Sequence, residues 1–292
     1  MILRHFSLAL CLMLAACSTP RRDVIVIGSK DFTEQVVLSE LLAQHIESAT
    51  GLKVERRFYL RGSYIAHQAL LAGRIDLYVE YTGTALTAVL KEPVVNDPRA
   101  AFDRVRADYA SRFNLQVFPS LGFENTFAMI IRGEDARRLN LRTISEAARH
   151  APDWRVGAGY EFLERPDGYP GLARAYGLRF AAPPRIMDLG LLYRALQERQ
   201  VDLVAGNSTD GAITALDLFV LADDQRYFPP YEAVPIVRRA TLERYPALRP
   251  VLEKLAGSIS DADMRRMNYA VDGQHRDVAD VVREFLRHRP PE

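Results

Sequence analysis

Beyond residue 17 this chain contains no cysteine; its two, Cys11 and Cys17, both lie near the start. Disulfides and thiolate metal sites are therefore excluded from everything downstream, and stability there has to come from packing. Charge of one sign is also lacking. A formal net charge of +1 gives no strong pull toward nucleic acid or an anionic membrane surface. Lysine is confined to Lys30, Lys53, Lys91 and Lys254, so arginine carries most of the positive charge, which reads as a compositional bias. After the first residues no apolar run is long enough to span a bilayer. Enzyme signatures are missing too: no Gly-x-Ser-x-Gly turn, no phosphate-binding loop, no His-Glu-x-x-His pair. The histidines are scattered, and His67, His150 and His275 fall on or beside polar helix faces, where solvation is the expectation.

What is present begins with a leader. Arg4 and His5 precede the apolar run Phe6 to Leu14, which fits a signal peptide over residues 1–16. The run closes Leu14-Ala15-Ala16-Cys17, which resembles a bacterial lipoprotein cleavage site and implies lipidation of Cys17. An ordinary secretory peptide with an incidental Cys17 is the alternative. Residues 17–23 then read as a polar tether. A length of 292 residues leaves room for two domains with cores of their own, and the hydrophobic and charged fractions, 48% and 26%, are ordinary for a globular protein.

The chain is organised around Ile75-Asp76-Leu77-Tyr78-Val79-Glu80-Tyr81-Thr82-Gly83-Thr84, a buried strand running into a turn and a helix. Val201-Asp202-Leu203-Val204-Ala205-Gly206-Asn207-Ser208-Thr209-Asp210-Gly211 reads the same way. In register, Asp76 matches Asp202, Tyr81 matches Asn207 and Thr82 matches Ser208. Both follow an apolar helix. Two such units predict two similar lobes facing each other across one cleft, since ligands in open α/β sheets sit at the carboxyl ends of strands. Coincidence is the competing explanation.

Taken in order, Val24–Gly28 is a first strand. Thr33 is placed as the cap of a helix whose apolar face includes Val36, Leu41 and Ile46, with Gly51 ending it. Strand Val54–Leu60, helix 63–72 and the central strand follow, and the alternation predicts parallel sheet. The stretch Leu121 to Ile131 begins a new strand and carries the first crossing between lobes. A second alternating series runs to the strand Leu218–Ala222. Tyr227-Phe228-Pro229-Pro230-Tyr231, stiffened by its prolines, carries the return. Ala233–Val237 resumes a strand, and the remainder is helical, with Ser260 starting one helix and Pro290-Pro291 a tail. The fold expected is α/β with two lobes: residues 24–124 plus 233–292, and 125–232.

Asp76 and Glu80 lie on one face of a strand and would be the carboxylate pair of a hydrolase, although no histidine or metal ligand accompanies them. The rings Tyr81, Phe127 and Tyr231 fall at strand ends and crossings. Core packing explains any one alone; together they suggest a site for a cation that cannot donate hydrogen bonds, such as a quaternary ammonium.

The motifs Gly28-Ser29-Lys30-Asp31-Phe32-Thr33-Glu34-Gln35, Glu80-Tyr81-Thr82-Gly83-Thr84, Leu121-Gly122-Phe123-Glu124-Asn125-Thr126-Phe127-Ala128, Ser208-Thr209-Asp210-Gly211 and Phe228-Pro229-Pro230-Tyr231 occur in this order. Together they resemble the osmoprotectant-type substrate-binding lipoproteins of ABC importers, which take glycine betaine, choline and carnitine. The resemblance covers nearly the whole chain past the leader. It implies a type II periplasmic-binding-protein fold with two interlobe crossings. It places Tyr81, Phe127 and Tyr231 on aromatic cage positions, and Lys30, Thr84 and Arg165 on positions that hold a ligand carboxylate. Two positions depart: the family usually has tyrosine where Asn207 stands and aspartate where Asn125 stands. The first opens the cage on one side and the second removes an attraction for a cation, which shifts the expectation toward a bulkier or less cationic solute, or toward weak binding of betaines.

The expected protein is thus an extracytoplasmic, lipid-anchored solute receptor, not an enzyme. It has no cofactor or metal, is monomeric, and works with separate permease and ATPase chains. A sensory receptor with the same clamshell is the alternative, as is a binder of a different amino-acid-like solute.

Overall fold

The computed structural model describes residues 24–288. The leader, Cys17, the tether and Pro290-Pro291 lie outside the described residues. The strands are β1 (Val24–Gly28), β2 (Lys53–Arg57), β3 (Leu77–Tyr81), β4 (Leu115–Val117), β5 (Phe127–Arg132), β6 (Val156–Ala158), β7 (Arg185–Ile186), β8 (Leu203–Asn207), β9 (Leu218–Leu221) and β10 (Ala233–Arg238). They form two five-stranded sheets of matching order, β2-β1-β3-β10-β4 and β7-β6-β8-β5-β9. The molecule is a two-lobed α/β structure, one sheet to each lobe.

The sheets are mixed, not parallel as the alternation predicts. β1 pairs in parallel with β2 and β3, and β6 with β7 and β8. β10 and β5 are antiparallel to both of their neighbours. The reason lies in the crossings. β3 and β8 end at the cleft, so a chain arriving from the other lobe enters there and has to run the opposite way. Ala233, at the start of β10, pairs with Tyr81, at the end of β3. Phe127, at the start of β5, pairs with Asn207, at the end of β8. The crossings themselves touch through a bridge between Glu124 and Glu232.

Every residue of β3 is buried. Leu77 and Val79 pack into the core on one face, with the helix Thr33–Thr50 and the C-terminal helices, and Tyr78 packs into the core on the other. Helices cover both faces, which is why the strand reads as a near-continuous apolar run rather than an alternating one. The second sheet is likewise sandwiched between two cores, one holding Met129 and Ile131, the other Ile130 and Val204.

Local details depart from expectation in three places. Phe32, not Thr33, occupies the cap position, and Thr33 opens the helix with its hydroxyl donating to Asp272 at 2.6 Å. Strand β2 stops at Arg57, because Tyr59 and Arg61 take left-handed backbone conformations that no strand continues through. His67 is buried edge-on against Tyr109 and Phe113, not solvated, because the helix Ser63–Leu71 turns Ser63, Ala66, His67 and Leu70 inward together. Ser260 does cap its helix, in a reciprocal pair with Asp263.

The two aspartates of the internal repeat do one job twice. Asp76 Oδ2 accepts from the Val26 amide at 2.9 Å, and Asp202 Oδ2 accepts from the Arg155 amide at 3.0 Å. Each ties the start of a sheet's central strand to its parallel neighbour. Asp76 also accepts from Thr241 at 2.7 Å. Asp76→Ala leaves those donors without their acceptor and is expected to lower unfolding free energy by about 1–3 kcal/mol in chemical denaturation.

Candidate functional site

Between the lobes lies a cleft of about 920 Å³. Lys30, Tyr81, Thr84, Asn125, Phe127, Arg165, Asn207 and Tyr231 all line it. They reach it from the loop after β1, the ends of β3 and β8, the turn after β3, the start of β5, the two crossings and the loop after the helix Tyr160–Glu164. Asp76 is not among the lining residues; it sits at the opposite end of β3, so Asp76 and Glu80 do not converge on one site. Among the described residues no group of three His, Cys, Asp or Glu side chains is placed to hold a metal.

The basic groups come with internal partners. Lys30 Nζ lies 2.5 Å from Glu80 Oε1 and 3.2 Å from Ser63 Oγ, all buried. Arg165 forks onto Asp167, with Nε to Oδ1 at 2.9 Å and Nη2 to Oδ2 at 2.5 Å, and reaches Thr84 Oγ1 with Nη1 at 3.0 Å. Burial works to raise the Asp167 carboxyl, but this fork and the Tyr231 hydroxyl, donating at 2.6 Å, hold it below the usual range. These same cations lie over the rings. Lys30 Nζ is 4.5 Å from the Tyr81 ring centre, and the Arg165 guanidinium carbon is 4.9 Å from that of Phe127 and 5.7 Å from that of Tyr231. Phe127 and Tyr231 meet edge to face at 5.8 Å.

The turn after β3 is fitted closely to the proline segment. Thr82 Oγ1 donates to the Pro230 carbonyl at 3.0 Å and accepts from the Glu232 amide at 3.1 Å. A side chain at Gly83 would press to 2.7 Å from the Tyr231 ring, so the glycine lets that ring approach the turn. The backbone then enters a π-helical stretch, Ala85–Leu90, an irregularity found often beside binding sites.

Glu34 is the residue that sequence reasoning passed over. Its buried carboxylate accepts from Tyr81 Oη at 2.5 Å, Asn125 Nδ2 at 2.7 Å, Thr209 Oγ1 at 2.5 Å and Asn268 Nδ2 at 3.1 Å. One carboxylate thus joins β3, a crossing, the turn after β8 and a C-terminal helix. Burial raises its pKa, and the four donors offset that only in part, so the acid stays above the usual carboxylate range. The signal available was an acid one residue inside a helix, in a motif that otherwise reads as packing.

The far wall of the cleft is of another kind. Met187, Leu189, Ala205, Ala212 and Leu216 line it with Tyr160 and Tyr193. Asp210 faces the cleft among them, accepting from the Tyr193 hydroxyl and, at 3.0 Å, from the Asn207 amide. Burial, outweighing those two bonds and reinforced by the nearby Glu34 and Asp272 charges, pushes its pKa up to about 7.

The family model for the substrate-binding domain of ABC-type glycine betaine transport systems matches residues 23–288. The chain belongs to this family. A carnitine transport binding protein of Listeria monocytogenes is 36% identical, over 94% of this chain and 92% of its own. An ergothioneine transport permease/ergothioneine binding protein of Helicobacter pylori is 34% identical, over 90% of this chain and 47% of that longer one. A crystal structure described as a glycine betaine/carnitine/choline ABC transporter superposes with a TM-score of 0.77 at 37% identity, covering 90% of this chain and 97% of that one. The two-lobed fold and the role of substrate-binding component of an ABC transport system follow. No helix among the described residues is long and apolar enough to cross a membrane.

Two outcomes are expected. Glu34→Ala strands buried donors on four elements and lowers unfolding free energy by about 2–4 kcal/mol, read by denaturant titration. The Asp210 carboxyl, followed by carbon NMR, titrates with a midpoint near 7. Because the folded-state pKa lies above the unfolded one, its contribution to stability is full below about pH 4 and is lost as pH rises toward 7. Asp210→Asn removes that part of the slope.

Proposed function

We propose that this binding protein captures a zwitterionic, methylated-ammonium solute in the interlobe cleft and presents it to a permease. The observation that carries the reading is the polarity of the cleft. Lys30 and Arg165 line it over the faces of Tyr81 and of Phe127 and Tyr231, each prepaired with a carboxylate. The lining also includes Asp210 and the apolar residues Met187, Leu189, Ala212 and Leu216. A ligand carboxylate takes the remaining N–H donors of Lys30 and Arg165, with Thr84 beside them, as charge-assisted bonds. The methylated ammonium then lies further out, against ring surface not covered by the protein's own cations.

Asn125 belongs to this site as the donor that fixes Glu34, and Asn207 as the open side of the ring cluster. The proposed lobes are residues 24–124 with 233–292, and residues 125–232. The relatives named for carnitine and for glycine betaine, carnitine and choline support this ligand class. No catalytic step and no cofactor enter the reading. The permease and ATPase are separate chains, the protein acts as a monomer outside the cytoplasmic membrane, and Cys17 carries a lipid anchor.

Calorimetry against glycine betaine, carnitine and choline tests this. At least one is expected to bind, and Phe127→Leu to weaken it by about 0.5–2 kcal/mol, the contribution of one ring–cation contact. Silence from all three with folded protein, or an unchanged affinity in the variant, would sink the assignment.

A further inference from the structure

The helix Ser63–Leu71 begins without an acceptor of its own. Gly62 stands at its cap position, no side-chain cap closes it, and its first turn holds no acid. A helix start of this kind presents unpaired N–H groups and the positive end of the helix dipole. The acceptor comes from the other lobe. Glu161, in the helix Tyr160–Glu164 that follows β6, places Oε1 2.9 Å from the Ser63 amide nitrogen.

The backbone at Gly62 leaves room for that carboxylate. Its φ of −74° is open to any residue, so conformation does not call for glycine. A Cβ there would instead stand 2.0 Å from Glu161 Oε1 and 2.4 Å from the Tyr160 hydroxyl oxygen. The missing side chain is the seat that these two residues of the second lobe occupy.

Two links run from the contact to groups of the cleft. On the first lobe, Ser63 Oγ accepts from Lys30 Nζ at 3.2 Å. The backbone of Ser63 thus meets Glu161 while its side chain meets Lys30. On the second lobe, the Glu161 carbonyl accepts from the Arg165 amide at 3.0 Å, one helical turn further on. Arg165 in turn reaches Thr84 Oγ1 of the first lobe with Nη1 at 3.0 Å. Seating Glu161 therefore fixes the start of the turn that ends in Arg165.

We propose that Glu161 is a positioning residue for solute binding: by capping the helix Ser63–Leu71 from across the cleft, it holds the lobes together over the solute and sets Arg165 beside Thr84. This rests on the proposed function for the roles of Lys30 and Arg165 and for the solutes used as probes. Parting the lobes returns the carboxylate and the Ser63 amide to water, so the bond favours the closed arrangement alone. A contact completed after encounter acts on the escape of the solute more than on its arrival.

The test measures, by stopped flow, association and dissociation rates for whichever of glycine betaine, carnitine and choline binds. Glu161→Ala is expected to raise the dissociation rate at least fivefold and to change the association rate less than twofold. Glu161→Gln keeps an acceptor oxygen without the charge and should fall between; it also decides the matter should the alanine variant fail to fold. Gly62→Ala fills the seat and should speed dissociation too. Because both variants remove the same contact, the double variant should be within twofold of the more severe single one. Effects that multiply in the double variant would mean that Glu161 acts on the solute directly, and would overturn the inference. So would dissociation rates unchanged in Glu161→Ala and Glu161→Gln. If none of the three solutes binds, the proposed function has failed, and the cap is judged by hydrogen exchange at the Ser63 amide. Slower exchange in the wild type than in Glu161→Ala supports the cap, and equal exchange overturns it.

Discussion

The structure depends on one buried carboxylate. Glu34 receives donors from the end of β3, from the first crossing, from the turn after β8 and from a C-terminal helix. A charge in that position is disfavoured by burial, and the donors that fill its lone pairs offset that cost only in part. The arrangement is therefore all or nothing: withdrawing any donor raises the penalty on the rest. Thr209 belongs to the second lobe and Tyr81 to the first, so the carboxylate links the separation of the lobes to the position of a cleft ring. Asn268 adds to that link, since its Nδ2 also donates to the Thr209 carbonyl at 2.9 Å.

The cleft's own cations are managed by the same principle. Lys30 and Arg165 are each neutralised by an internal acid and lie over aromatic faces. Prepairing offsets the cost of burying them and fixes where they point, since a fork onto Asp167 leaves the guanidinium little rotational freedom. It also limits what they can offer a guest, because most of their donors are already used. On the proposed reading the site orients a carboxylate more than it attracts one from a distance, in keeping with a net charge near zero.

Much of this was legible in the sequence. The strand-to-turn repeat at 75–84 and 201–211 marks β3 and β8, which occupy equivalent places in the two sheets. The proposed binding residues lie around one cleft: the rings Tyr81, Phe127 and Tyr231 are legible as strand ends and crossings, whereas Lys30, Thr84 and Arg165 are legible only through the family resemblance. The mixed sheet direction was not legible: helix–strand alternation reports sequential crossovers within a lobe, whereas β5 and β10 follow crossings whose direction is set by the other lobe. His67 was misjudged because a histidine on a helix is polar by type, yet its face is decided by Ala66 and Leu70 beside it. Glu34 was missed for the complementary reason. An acid early in a helix normally faces water and the helix dipole, and its four partners are distributed from residue 81 to residue 268.

The repeat also separates what the fold requires from what the ligand selects. At the end of each unit away from the cleft, Asp76 and Asp202 retain the same residue type and the same bond to a neighbouring strand's amide. At the cleft end, the units have diverged: Tyr81 donates to a buried acid, while Asn207 gives its amide to Asp210 and leaves space. Strand starts are constrained by pairing in the sheet, whatever is bound. Strand ends face the gap between lobes, where a change of side chain leaves the ladder intact and alters only the wall presented to the solute. Within one scaffold, the side chain at position 207 can therefore change without disturbing the backbone hydrogen bonds that pair β8 with β5, which is what makes the carboxyl end of that strand the freer of its two ends.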